Sequence, residues 1–208
     1  MNSVEHPWEM IYREEGRVFG EPFPRFWDVV EAYREQGCSK ILDLGCGNGR
    51  HVVHLVKEGF AATGLDISRT GLGLAQEWLE EEGLRAGLVE ADLLYPLPFG
   101  DGFFDGLLST QVIHHAMLAE VLRTIGEIWR VLAPGGLAFV SVAGRIHGDT
   151  EYVEIEPGTY LPRTGSEAGL PHHIFDEEGL RKAFGGFEIE YLERRDEGRV
   201  IVVMGRKG

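Results

Sequence analysis

Two cysteines in 208 residues, Cys38 and Cys46, leave no disulfide framework to hold a fold together. No apolar stretch approaches the ~20 residues that a membrane-spanning helix needs. The opening MNSVEHPWEM lacks the basic and apolar regions of a signal peptide. Positive charge is scarce too: 20 Lys and Arg face 34 Asp and Glu, a formal charge of −14. Such a surface repels a phosphate backbone, whose binding relies on basic side chains, and so argues against a nucleic-acid partner. Internal repeats, low-complexity tracts and interdomain linkers are absent as well. These absences point to a reduced, cytoplasmic chain without membrane or nucleic-acid partners; they leave the oligomeric state open. The hydrophobic content of 43% is ordinary for a globular protein, and the length suits one domain.

Against those absences stands the stretch 41–51, ILDLGCGNGRH. A short apolar run containing Asp43 breaks into Gly45-Cys46-Gly47-Asn48-Gly49, and a helical pattern follows through Val52, Val53, Leu55 and Val56. Strand, glycine turn and helix in succession aim backbone N–H groups at a bound polar ligand. Glycine permits positive φ and leaves no Cβ between backbone and ligand. Alone, the pattern describes a tight turn equally well; the rest of the chain decides.

From residue 39 strand and helix patterns alternate. The spacing predicts strands at 40–44, 61–65, 86–90, 104–109 and 137–143, and helices at 50–58, 70–82 and 118–132. Ser68 is placed to cap the second of these helices, and Pro134-Gly135-Gly136 to stop the third. This alternation argues for an α/β fold, a parallel sheet with helices on both faces, whose ligand crevice lies at the carboxyl ends of the strands. After a helix near 176–184, the runs 187–193 and 199–204 are separated by five residues, too few for a helical crossover. They are expected to add an antiparallel hairpin to the sheet.

Two segments flank this frame. Residues 1–23 are rich in aromatics and proline, among them Trp8, Tyr12 and Phe19, and an amphipathic helix is predicted over 24–36. Residues 1–36 therefore read as a segment packed on the body or a lid over the cleft. Residues 144–175 are polar, turn-rich and aperiodic, and read as a substrate loop leaving the fifth strand at its ligand edge. Glu151, Glu154 and Glu156 within it read as a solvated acidic surface, and no metal site is assigned.

Four further features join the glycine turn. Leu65-Asp66-Ile67-Ser68 ends the second strand about 20 residues after the glycines, where a carboxylate can accept both hydroxyls of a ribose. Ala91-Asp92-Leu93 ends the third, where a carboxylate can accept from an adenine amino group. Each also has a local reading, Asp66 as a helix-start carboxylate and Asp92 as a turn residue. Pro96-Leu97-Pro98-Phe99 with Phe103-Phe104-Asp105 leads into the fourth strand, and Trp129-Arg-Val-Leu-Ala-Pro-Gly-Gly136 opens the fifth. Together these motifs resemble the class I S-adenosylmethionine-dependent methyltransferases, near their small-molecule enzymes, most clearly over 40–139.

The resemblance implies a Rossmann-like three-layer αβα sandwich: a seven-stranded, mostly parallel sheet whose last strand runs antiparallel between its neighbours. It implies S-adenosylmethionine as cofactor, with Asp43, Gly45, Gly47, Gly49, Arg50 and His51 around its methionine part. Asp66 would bind the ribose, Ile67 would lie against the adenine, and Asp92 with Leu93 would meet its amino edge. Thr110 and Gln111 would border the transferable methyl. A nicotinamide-dependent oxidoreductase would need glycine or alanine at position 50, where Arg50 stands, and its pyrophosphate would disfavour Asp43.

Methyl transfer needs mainly a nucleophile held in line, with a base only where that nucleophile must lose a proton. His114 and His115 follow the fourth strand, and His172 and His173 end the long loop; these four are the candidate catalytic or acceptor-contacting residues. The segment after the fourth strand, Ser109-Thr110-Gln111-Val112, lacks the Asn/Asp-Pro-Pro-Tyr/Phe of base-amine methylation, and no Pro-Cys nucleophile is present. The expected acceptor is an oxygen, nitrogen or sulfur atom of a small molecule. A tRNA- or protein-directed enzyme with a partner subunit, and a non-catalytic binding module, are the alternatives.

Overall fold

A computed structural model describes residues 6–146 and 151–208. In chain order the strands are β1 (Lys40–Leu44), β2 (Ala61–Asp66), β3 (Gly87–Glu90), β4 (Phe104–Thr110), β5 (Leu132–Ala143), β6 (Tyr152–Glu156), β7 (Thr159–Pro162), β8 (His172–His173), β9 (Phe187–Arg195) and β10 (Val200–Lys207). The helices are α1 (Pro7–Glu15), α2 (Phe26–Glu35), α3 (Arg50–Lys57), α4 (Arg69–Glu81), α5 (Leu118–Val131) and α6 (Glu177–Ala183).

Seven strands form one sheet in the order β3-β2-β1-β4-β5-β10-β9. The pairs from β3 to β5 are parallel, while β10 runs antiparallel to both β5 and β9. Neighbouring residues of a strand feed opposite cores. Leu42, Leu107 and Val140 pack in the cluster that includes α5 and α6 residues, whereas Ile41, Leu108 and Phe139 pack in the one that includes α2, α3 and α4 residues. Period-2 alternation with both faces apolar makes the sheet the middle of three layers. Tyr33 of α2 crosses into this middle layer, and its hydroxyl donates to Leu107 O at 2.6 Å, so the ring is buried without an unmet donor. Among the described residues no helix is long and apolar enough to cross a membrane.

The structure departs from the sequence reading at three places. Strand β5 begins at Leu132 directly after α5, because Leu132 is already extended (φ −78°, ψ 138°) and pairs with Phe104. The register then shifts before Gly106 meets Leu137, and Pro134-Gly135-Gly136 fills that irregularity rather than a free turn; Gly135 has φ +79°. Second, 144–175 is not simply a loop: β6, β7 and β8 form a separate three-stranded antiparallel sheet. Its strands run two to five residues and carry half-exposed Tyr and Glu, so they show no hydrophobic period. Third, α1 occupies 7–15, where the sequence shows only aromatics and proline. His6 caps it by accepting from Trp8 N at 3.3 Å, Pro7 sits at its first turn, and Gly16 ends it at φ +70°.

Candidate active site

At the carboxyl end of β1 the chain turns through Gly45 (φ +78°), Gly47 (φ +53°) and Gly49 (φ +83°) into α3. Gly45 N and Cys46 N both donate to Leu65 O, at 2.8 and 3.0 Å, which ties the turn to the end of β2. The missing side chains also give room to protein neighbours. A Cβ on Gly45 would lie 2.4 Å from the Val112 methyls, and one on Gly47 would lie 2.1 Å from Tyr12 Oη. The phenol of α1 thus seats in the turn itself.

Behind the turn, Asp43 is 1% exposed, and neither of its carboxylate oxygens has a hydrogen-bond partner. His51 Nε2 accepts from Phe23 N at 3.0 Å, and its Nδ1 lies 3.7 Å from Asp43 Oδ2. Burial pushes the His51 pKa down against the pull of Asp43, so the ring is neutral and carries its proton on Nδ1, facing that carboxylate. A buried carboxylate whose nearest facing donor, His51 Nδ1, stands 3.7 Å away is costly in an isolated protein.

Asp66 lies beside the turn, its two oxygens accepting from Gly47 N and Ser68 N at 2.8 Å each. Burial raises its pKa to about 6 in spite of those two bonds. The helix-start role is therefore real, and Ser68 also caps α4 by accepting from Gly71 N at 2.9 Å. Asp92 likewise has its local bond, accepting from Leu94 N at 2.9 Å. Both carboxylates nonetheless border a cavity of about 530 Å³, within the range of small-molecule sites.

Of the residues singled out above, Gly45, Arg50, His51, Asp66, Ile67, Asp92, Leu93, Thr110, Gln111 and His115 line this cavity; Asp43, Gly47, Gly49, His114, His172 and His173 do not. Gln111 adopts φ +60°, uncommon for a residue with a side chain, and is held there by Ser141: Gln111 N and Nε2 reach Ser141 Oγ at 3.0 and 3.1 Å. His173 is committed elsewhere. Thr159 donates its hydroxyl proton to Glu156 at 2.8 Å, so it accepts from His173 Nδ1 at 2.7 Å.

Other segments supply the remaining walls. His6, Trp8, Tyr12 and Phe19 close one side, and Glu120, Leu170 and Pro171 another. The N-terminal segment is fastened to the turn: Asn48 Nδ2 donates to Phe19 O at 2.7 Å, and the Arg50 guanidinium lies 4.7 Å from the Phe19 ring centre. Glu9 of α1 accepts from Ser68 Oγ and from Thr70 N, at 2.5 and 3.1 Å, which docks α1 on the start of α4. The aromatic content of 1–23 was the only signal for these contacts. His114, His115 and His172 gather at the cavity's other edge, with ring centres 4.2 Å apart for His114 and His115 and 4.7 Å for His115 and His172.

Residues 42–140 match the family described as a methyltransferase domain. Over 98 residues, 47% of this chain and 44% of the relative, the sequence is 37% identical to an uncharacterized methyltransferase of a Synechocystis species. Over 106 residues, 50% of this chain and 41% of the relative, it is 37% identical to a ubiquinone biosynthesis O-methyltransferase of Caulobacter vibrioides. The chain thus spans less than half the length of either relative. A solved S-adenosylmethionine-dependent methyltransferase of Methanosarcina mazei superposes with a TM-score of 0.71 at 24% identity, covering 90% of this chain and 98% of that one, which shows the shared fold.

Proposed function

We propose that this chain is a class I S-adenosylmethionine-dependent methyltransferase and that it methylates an oxygen, nitrogen or sulfur atom of a small molecule. S-adenosylmethionine is its cofactor, and it supplies an electrophilic methyl on a cationic sulfonium. The observation that carries the reading is Asp43, a buried carboxylate lacking hydrogen-bond donors, set behind a glycine turn that opens on a cavity of about 530 Å³.

In this reading Asp43, Gly45, Gly47, Gly49, Arg50 and His51 hold the methionine end, with Asp43 answering its positive charge. Asp66 accepts the ribose hydroxyls with the lone pairs that Gly47 N and Ser68 N leave over. Ile67 packs on the adenine, Asp92 and Leu93 receive its amino edge, and Thr110 with Gln111 border the methyl. Trp8, Tyr12 and Phe19 exclude water, so residues 1–36 act as a lid. The acceptor enters from the side of His115, where 144–175 forms a substrate insertion carrying His172 and His173 and backing onto His114. Burial holds His115 well below its ordinary pKa, with His114 and His172 adding to the effect, so its imidazole is neutral and faces the acceptor with a free lone pair. Free Cys38 and Cys46 support a reduced, cytoplasmic setting, and the charge of −14 supports a small-molecule rather than a nucleic-acid partner.

The test is calorimetry with S-adenosylhomocysteine, the demethylated cofactor. Folded protein is expected to bind it, and Asp66→Ala to weaken binding by about tenfold or more, the equivalent of one lost charge-assisted hydrogen bond. Absence of binding by folded protein refutes the reading. Cell extract treated with methyl-labelled cofactor should carry label in the small-molecule fraction, not the macromolecular one.

A further inference from the structure

We infer that His115, Glu167 and His172 form a site for a divalent transition-metal ion at the acceptor edge of the cavity. One ligand atom from each lies within 4.8 Å of the others. Glu167 spans the two imidazoles: Oε1 is 3.6 Å from His115 Nε2, and Oε2 is 3.5 Å from His172 Nε2. Ligands at ~2.0–2.2 Å from a first-row ion sit a little over 3 Å from one another, so a small inward shift of the three groups completes the set.

Two imidazoles and one carboxylate are the donor set that zinc and non-haem iron enzymes use when coordination positions must stay open for substrate. An ion-pair reading fits less well, because the single Glu167 carboxylate lies between two rings and cannot balance two charges, whereas one metal ion takes all three groups as ligands. The three residues come from two segments about 50 positions apart, so no spacing motif announces them.

The site deepens the proposed function and rests on it for its role, though not for its existence. His115 lines the cofactor cavity, as do Leu170 and Pro171 between Glu167 and His172. An alcohol, phenol or thiol acceptor coordinated there would lose its proton to water at neutral pH, because a bound cation stabilises the anion. Its lone pair would then form the new bond to the methyl carbon. The carbon–sulfonium bond would break with its electrons passing to sulfur, which leaves S-adenosylhomocysteine. The site thereby favours oxygen and sulfur acceptors over amines.

The experiment is calorimetric titration of the full chain with Zn²⁺ alone, with S-adenosylhomocysteine binding measured on the same preparations. Wild type is expected to bind one Zn²⁺. Glu167→Gln and His172→Ala are each expected to weaken it beyond the ~10–100-fold that removing an outer-shell partner costs. His54→Gln, on the far side of α3 among Phe26, Trp27 and Trp78, should leave the Zn²⁺ affinity unchanged. Glu167, with a side chain 32% exposed, is the variant least able to unfold the protein, and retained S-adenosylhomocysteine binding verifies its fold. The inference is overturned if wild type that binds S-adenosylhomocysteine takes up no Zn²⁺, or if both variants bind Zn²⁺ as wild type does. Loss of S-adenosylhomocysteine binding by wild type would instead overturn the proposed function.

Discussion

The two edges of the cavity are built on different principles. The edge proposed for the cofactor is made of short turns: residues 45–51, 66–67 and 92–94 each follow or end a parallel strand, and its shape is set by backbone bonds such as Gly45 N and Cys46 N to Leu65 O. The edge proposed for the acceptor is assembled from 6–19, 110–120 and 167–173, and its character lies in side chains, the Trp8–His115–His172 group above all. A backbone-made edge is suited to one constant ligand. A side-chain-made edge is free to vary with the acceptor while the sheet beneath it stays unchanged.

The largest effect that would separate the edges is at His115. His115→Gln removes a group proposed to help the acceptor lose its proton and is expected to lower turnover by ~10²–10⁴-fold, with S-adenosylhomocysteine affinity unchanged. Equal losses in turnover and in S-adenosylhomocysteine binding, measured by steady-state kinetics and calorimetry, would erase the distinction.

A pH titration comes next. With its pKa raised from 3.8 to about 6 in the fold, Asp66 binds its proton more tightly folded than unfolded. Its contribution to stability is therefore fully present below pH 3.8 and lost as pH rises through 6, an amount of about 3 kcal/mol at most. Ribose hydroxyls need the ionised carboxylate. S-adenosylhomocysteine affinity should thus fall as pH drops below about 6, while ligand-free protein loses less stability over that interval than Asp66→Asn does. Calorimetry and denaturant melts from pH 5 to 8 read both.

The smallest effect is at Asp43. Asp43→Asn should raise the ligand-free protein's stability by about 1 kcal/mol, or 2–4 °C in Tm, because a buried carboxylate without a donor is removed. S-adenosylhomocysteine binding should weaken in the same variant. A lower Tm would show that Asp43 serves the fold through His51 rather than the ligand.

Much of the frame was legible in order along the chain. The strands β1, β2 and β4 have ends within a residue of their expected positions, since short, largely apolar runs between turn residues leave few alternatives. The terminal hairpin followed from a connection too short for a crossover, here the tight turn at Asp196–Gly198. The cap at Ser68 was visible for the same local reason. The β6–β8 sheet was not visible. Val153 and Leu161 face each other across β6 and β7 with exposed Glu154 beside them, and no run there is long enough to show a period.

By itself the sequence determined the α/β sheet, the glycine turn with Asp43 beneath it, and the carboxylates at the ends of β2 and β3. Those features show as apolar runs, glycine positions and strand-end residues, which residue order displays directly. Only the tertiary structure decided that Tyr12 seats against Gly47, that Asp43 is left without a donor, and that Glu167 stands between His115 and His172. Each of these joins segments dozens of residues apart. Their proximity is set by how helices and the small sheet pack on the main sheet, and no local pattern records that packing.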